Sequence, residues 1–238
     1  MIKYLLLILP IFSLAQEAVR VEYEARQEFD RSKVEKTSAK ANELFKNSED
    51  KRYYFESLVN NKNSFFKEIE RINNTPHVAS FGLSPNVSST IFKDFETKEL
   101  YERNIMMPKA FVKDSIQTFP WVLTKVEKII LGYKVRKAIY ENNNQMVEAW
   151  YALDLPFRDG PSRFNGLPGL ILEISFKVPF AVDMDSNVIF TAIDLKPYQG
   201  IIELPKKSSI VAKDEYQKEL DKKTTKLKSI TPQGVDRD

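Results

Sequence analysis

From position 18 onward, apolar and polar residues alternate over long stretches of the chain. In AVRVEYEAR, Val19, Val21 and Tyr23 fall on one side and Arg20, Glu22 and Glu24 on the other, the period of two that marks a half-buried strand. RYYFESLVNN and KNSFFKEIE predict two further strands joined through Asn60, Asn61 and Lys62, a polar cluster suited to a hairpin turn. STIFKDFETKELYERN repeats the arrangement and turns at Glu96 to Lys98. Between Lys109 and Tyr151 follow KAFVKDSIQ, WVLTKVEKII, LGYKVRKAIYE and QMVEAWYAL, with turns at Gly132 and at Glu141 to Asn144. LILEISFKV and NVIFTAIDL complete the series.

Helical periodicity is scarce. It predicts one helix over Ser38 to Lys46 and another over about Ala212 to Lys226, the latter with a thin apolar stripe of Tyr216, Leu220 and Leu227. Asn73 to Val87 is rich in Asn, Ser, Pro and Gly and reads as a loop. Strands at this density with short connections predict a mainly β fold, a curved antiparallel sheet or open half-barrel of about 8–10 strands with one or two peripheral helices. The expected organisation is a leader at 1–15, the β domain at 16–205, and a basic C-terminal helix and tail at 206–238.

Composition sharpens this in three places. A content of 42% hydrophobic and 12% aromatic residues in 238 supplies a core. MIKYLLLILPIFSLA places Lys3 before an apolar run and ends in small residues, the form of a secretory signal peptide and about half the ~20 residues a membrane helix requires. The expectation is an exported chain without a transmembrane segment in its mature form, resident in the periplasm, at the outer-membrane surface or outside the cell. Cysteine is absent, which removes disulfides, thiolate catalysis and thiolate metal sites. The formal charge of +3 falls by one with Lys3 and is spread along the chain, which gives a nucleic-acid partner no support.

Punctuation concentrates in DGPSRFNGLPG, Asp159 to Gly169, where three of the seven glycines and two of the twelve prolines fall. Such density predicts a shaped loop. Pro161 and Pro168 hold φ near about −65°, while Gly160, Gly166 and Gly169 allow positive φ or close approach of another backbone. Pro168-Gly169 matches the central pair of a type II turn. Leu170, Leu172 and Ile174 then fall on one face of an expected strand and Ile171, Glu173 and Ser175 on the other.

The run Gly166-Leu167-Pro168-Gly169-Leu170-Ile171 resembles, letter for letter, the signature of the GLPGLI family of secreted bacterial proteins. The likeness extends to ILGYK at Ile130 to Lys134, AWY at Ala149 to Tyr151, and Gly160-Pro161. It implies an exported, largely β protein from bacteria whose outer membranes are rich in TonB-dependent transporters. Val135 stands where members often carry a cysteine, so no redox, disulfide or thiol-metal role passes to this chain. The resemblance supplies no catalytic residue to carry over.

Other chemistry has few residues to draw on. The glycine-rich loop leads into a strand and brings no P-loop lysine. His77 is the only histidine, so neither a hydrolytic triad with a nucleophile elbow nor a transition-metal site is expected. The Asp183-Met184-Asp185-Ser186 turn lacks the glycine and glutamate of a calcium loop. Asn73-Asn74-Thr75 and Asn86-Val87-Ser88 match glycosylation sequons by chance. Trp121, Trp150, Tyr151, Phe157 and Phe164 serve either as core or as the wall of a ligand site.

The function expected is that of a non-enzymatic envelope protein without cofactor or metal. It binds an envelope or outer-membrane protein, or an apolar ligand, through Trp150, Tyr151, Phe164 and Leu167, with Gly160, Pro161, Gly166, Pro168 and Gly169 as the structural motif. The alternatives are a carboxylate hydrolase built on Asp154 and Asp159, and a structural accessory of an outer-membrane transporter.

Overall fold

The computed structural model describes residues 18–71, 79–83, 87, 89–103, 108–142, 145–181 and 184–230. The leader, His77, both sequons apart from Val87, Asp183, and the hairpin tip at 143–144 lie outside the described residues.

The alternating segments become strands β1 (Ala18–Phe29), β2 (Tyr53–Asn60), β3 (Asn63–Ile69), β4 (Thr90–Asp94), β5 (Glu99–Arg103), β6 (Phe111–Ser115), β7 (Val122–Ile130), β8 (Tyr133–Asn142), β9 (Gln145–Ala152), β10 (Leu170–Ala181) and β11 (Met184–Pro197). Local chemistry sets the turns between them. Asn60 Oδ1 accepts the N–H groups of Lys62 and Asn63 at 2.8 and 2.6 Å, and Asp94 Oδ1 those of Glu96 and Thr97 at 2.9 and 3.0 Å, side chains standing in for a backbone turn. Leu131 and Gly132 join β7 to β8 with φ of 50° and 83°, the handedness that matches strand twist in two-residue hairpins.

With β12 (Ile210–Ala212), the described residues form one open sheet of twelve strands in the order β12-β6-β5-β4-β3-β2-β1-β11-β10-β9-β8-β7. The chain lays down two meanders, β1 to β6 and β7 to β11. The second returns so that β11 pairs antiparallel with β1, from Val19↔Pro197 to Phe29↔Ser186. The class is therefore as expected, but with more strands. The sheet has twelve strands where about 8–10 were expected; β12, which none of the predicted segments covers, runs parallel to β6, just ahead of helix α3 (Lys213–Ile230). Three residues paired to an edge carry no periodicity of their own, so the sequence pattern runs straight into the helix. Helix α1 (Arg31–Val34) is likewise too short to announce itself. Helix α2 (Ala39–Asp50) follows the predicted position, with Ser38 Oγ accepting the Ala41 N–H.

The sheet curls. Five strand spacings separate β4 from β10, about 24 Å in a flat sheet at ~4.8 Å per strand. Lys93 on β4 nevertheless donates to the Gly160 carbonyl at 3.1 Å, and a Cβ on Gly160 would lie 2.8 Å from that of Ile171 on β10. The main core fills the resulting concavity, drawing on β1 to β5, β8 to β11 and the connection between β9 and β10. Behind β4 and β5 a second cluster packs Phe92, Tyr101 and Phe111 beneath Ile202. A third joins Phe45 of α2 to Phe29 and Met184.

Candidate functional site

The segment from Leu153 to Gly169 leaves β9, folds into the concave side and returns as β10. Backbone bonds shape it: Gly166 N–H to Arg158 O, Leu170 N–H to Leu155 O and Ile171 N–H to Asp159 O, each 2.9 Å, with a bridge between Asp159 and Asn165. Trp121 Nε1 donates to Asn165 O at 2.9 Å, and Asn165 Nδ2 donates to Gln117 O at 3.2 Å, tying the approach to β7 onto the loop.

The glycines divide the work differently from the sequence expectation. Gly166 takes the positive φ, 92°, beside Ser162 at 56°. Gly169 does not, so the expected type II turn with glycine at its left-handed position is corrected. Its constraint is space: a Cβ there would stand 2.0 Å from the carbonyl oxygen of Ala152. Gly160 is held the same way against Ile171. Pro161 is buried and Pro168 exposed.

The strand that follows departs from simple alternation as well. Ile171 pairs with Tyr151 and Glu173 with Trp150, leaving Leu172 as an extra residue, the count of a β-bulge. The expected face of Leu170, Leu172 and Ile174 is thus broken. Ile171 and Ile174 lie opposite Tyr151 and Ala149, and all four apolar residues of LILEI are buried.

At the centre of the loop lies Lys93, with 0% of its side chain exposed, against Asp159 with 1%. Its ammonium donates to Asp159 Oδ1 at 2.5 Å, Gly160 O at 3.1 Å and Phe164 O at 3.0 Å, so all three of its donors are used. Burial pushes the Lys93 pKa below the usual lysine range, and the Asp159 carboxylate opposes that push. Beside them Tyr23 donates to Ile171 O at 2.7 Å; burial, reinforced by Asp159, raises its phenol well above the usual value. On the flank Arg163 pairs with Glu102 of β5, which is buried; burial lowers the Arg163 pKa. Asp159 Oδ2 and Glu102 Oε1 are buried without a hydrogen-bond partner. This is a clamp that fastens the loop to the far meander.

Of the expected contact residues, Tyr151, Phe164 and Leu167 are core, and Phe157 joins them. Phe164 stacks within a chain of rings running Phe119, Phe164, Phe176, Phe190, Phe55 and Phe66, with neighbouring centroids 4.8–6.2 Å apart. Trp150 is part-exposed on the opposite face, with Lys128 Nζ 4.2 Å over its ring. Asp154 lies exposed in the turn after β9 while Asp159 is buried under Lys93, so the two carboxyls face no common cleft.

The clamp was only faintly legible in advance. Lys93 shares a strand face with the core residue Ile91 by simple alternation, but its partner lies 66 residues away.

Where the loop meets solvent, a cleft of 710 Å³ opens between the two meanders, lined among others by Phe95, Lys98, Ile116, Phe119, Arg158 and Asn165. No carboxylate lines it, and neither Lys98 nor Arg158 has an ion-pair partner among the described residues. Among the described residues, no group of three or more His, Cys, Asp or Glu could hold a metal ion, and no helix is long and apolar enough to cross a membrane.

Residues 96–173, from the turn before β5 into β10, match the model of a family described as "Protein of unknown function (Porph_ging)", consistent with a GLPGLI-type family. No curated protein matches the chain. Among solved structures, the chain is similar to PNGF-II in its P21 and C2 crystal forms, at 19% identity, with TM-scores of 0.52 and 0.51 over 85% of this chain. It spans 32% of PNGF-II, so the likeness is one of fold, over about a third of that protein's length. A LolA superfamily protein from Nitrosomonas europaea aligns over 82% of this chain and 90% of its own at 11% identity, with a TM-score of 0.30.

Proposed function

We propose that this chain is an exported, non-enzymatic protein of the cell envelope whose rigid curved sheet presents a docking surface to a protein partner. The observation that carries the reading is the occupied concave side. The ring chain and the loop clamped by Lys93 fill the space a carried apolar ligand would take. The surface left open at that end is the cleft between the meanders, where Lys98 and Arg158, neither of them in an ion pair among the described residues, stand beside Phe95, Ile116 and Phe119. That chemistry suits an acidic, partly apolar segment of a partner protein. Export rests on the leader and on the family resemblance.

The test is native mass spectrometry and crosslinking of the chain purified from its source, beside a Lys98→Glu/Arg158→Glu variant. The expected result is a stoichiometric protein complex that the double charge reversal abolishes while leaving the melting temperature in place. A stoichiometric retained lipid, or a complex indifferent to the charge reversal, overturns the reading.

A further inference from the structure

Among the described residues, strand β7 ends the sheet with one edge open, paired to β8 alone. It is exposed almost throughout. Of the ten large hydrophobic residues exposed among the described residues, Val122, Leu123, Val126, Ile129 and Leu131 fall within ten consecutive positions, and Val122 and Ile129 are each 65% exposed. The same strand carries the charges Lys125, Glu127 and Lys128, so charge as well as apolar contact restricts what can pair with it.

The order of residues names the occupant. Laid antiparallel against a second copy with Val126 at the centre, VLTKVEKII sets Lys125 opposite Glu127, Leu123 opposite Ile129 and Val122 opposite Ile130. Each of these matches occurs twice, once on either side of the axis. Lys125 has no ion-pair partner among the described residues, while Glu127 already gathers Arg136 and Lys134 at 3.0 and 3.3 Å. We infer that β7 is a self-complementary edge and that the chain forms a two-fold dimer by antiparallel β7–β7 pairing.

One feature of the strand works against tight pairing. Leu123 pairs with Ala138 and Glu127 with Arg136, so Thr124, Lys125 and Val126 oppose Lys137 alone. The bulge bends the strand at the axis and keeps the association reversible. Because the contact is isologous it closes after two copies; the opposite edge, β12, is a different sequence covered in part by α3.

The absence of cysteine makes a clean test. Directly opposed residues in antiparallel strands lie about 4.5–5.5 Å apart, within disulfide range. Under mild oxidation Val126→Cys is expected to yield a single covalent dimer, whereas Val122→Cys, set opposite Ile130, stays monomeric. In sedimentation equilibrium the wild-type chain dimerises across the micromolar range. Lys125→Glu weakens that dimer about tenfold by turning two attractive pairs repulsive, and adding Glu127→Lys restores it. A wild-type chain monomeric throughout, equal crosslinking at 122 and 126, or a double swap that fails to restore pairing overturns the inference. All four positions are exposed and none lines the cleft on which the partner reading depends; because Glu127→Lys also sets a lysine beside Arg136 and Lys134, the melting temperature of each variant is read alongside its sedimentation.

Discussion

Strands β4 and β7 carry similar letters and meet opposite fates. TIFKD and VLTKVEKII each interleave lysine with apolar residues. β4 is covered on both faces: Ile91 and Lys93 are sealed under the motif loop, and Phe92 lies beneath Ile202. β7 has Lys125 and most of its apolar residues in water, and its other lysine, Lys128, half-exposed over Trp150 and against Glu173. Position in the sheet separates them. β4 sits where the curl and the returning chain supply cover, whereas β7 lies at the rim with one neighbour. A lysine in the first setting must have its charge matched internally, and one in the second is solvated whatever it faces.

The sharpest way to break this comparison is to remove the buried cation. Lys93→Met leaves Asp159 charged and unpaired inside the core and is expected to cost about 3–5 kcal/mol; Lys93→Met/Asp159→Leu recovers most of that loss in denaturant titrations. Unchanged stability in the single variant sinks the clamp. Next comes Gly169→Val, which drives a side chain into the Ala152 carbonyl and costs about 3 kcal/mol, read as a fall in melting temperature with no ligand present. Tyr23→Phe forfeits the bond to Ile171 O and strands a buried carbonyl, a loss of about 1–2 kcal/mol in the same titration.

Alkaline pH probes the sheltered meander more gently. Burial lifts the Tyr53 phenol to about 12, with Glu68 adding to the effect, and burial likewise raises Tyr23 well above its usual value. The folded chain therefore retains protons that the unfolded chain releases from about pH 10, so stability that is whole below that pH declines as it climbs toward 12. Lys93, held below its usual range, pulls the opposite way up to its unfolded value. The diagnostic is the difference between wild type and Tyr53→Phe, whose unfolding free energy falls less steeply over that interval. The smallest effect belongs to the rim: Lys125→Met shifts stability by no more than about 0.5 kcal/mol. A cost there equal to that at Lys93 erases the distinction between the two strands.

Eleven of the twelve strands could be placed from alternation and turn chemistry, because both are properties of neighbouring residues. Asp159 to Gly169 was readable as a shaped loop for the same reason. The roles within it were not all readable. Gly166 and Gly169 look equally able to adopt positive φ; which one does so, and which is pinned by contact, follows from where the end of β9 passes. Tyr151, Phe164 and Leu167 carry the same letters whether they line a pocket or fill a core, and the curl of the sheet decides that they fill it.

What the chain determined by itself is therefore local: the period of two, the turn residues, the density of glycine and proline, the absence of cysteine, and the opposite charges of Lys125 and Glu127 on either side of Val126 in β7. The tertiary structure alone decided that a lysine on β4 would meet an aspartate 66 positions later and that β7 would have no neighbour on one side among the described residues. Sequence encodes what a residue and its immediate neighbours prefer. Which distant surfaces a curved sheet brings together depends on the summed twist of every strand between them, a quantity that no single segment carries.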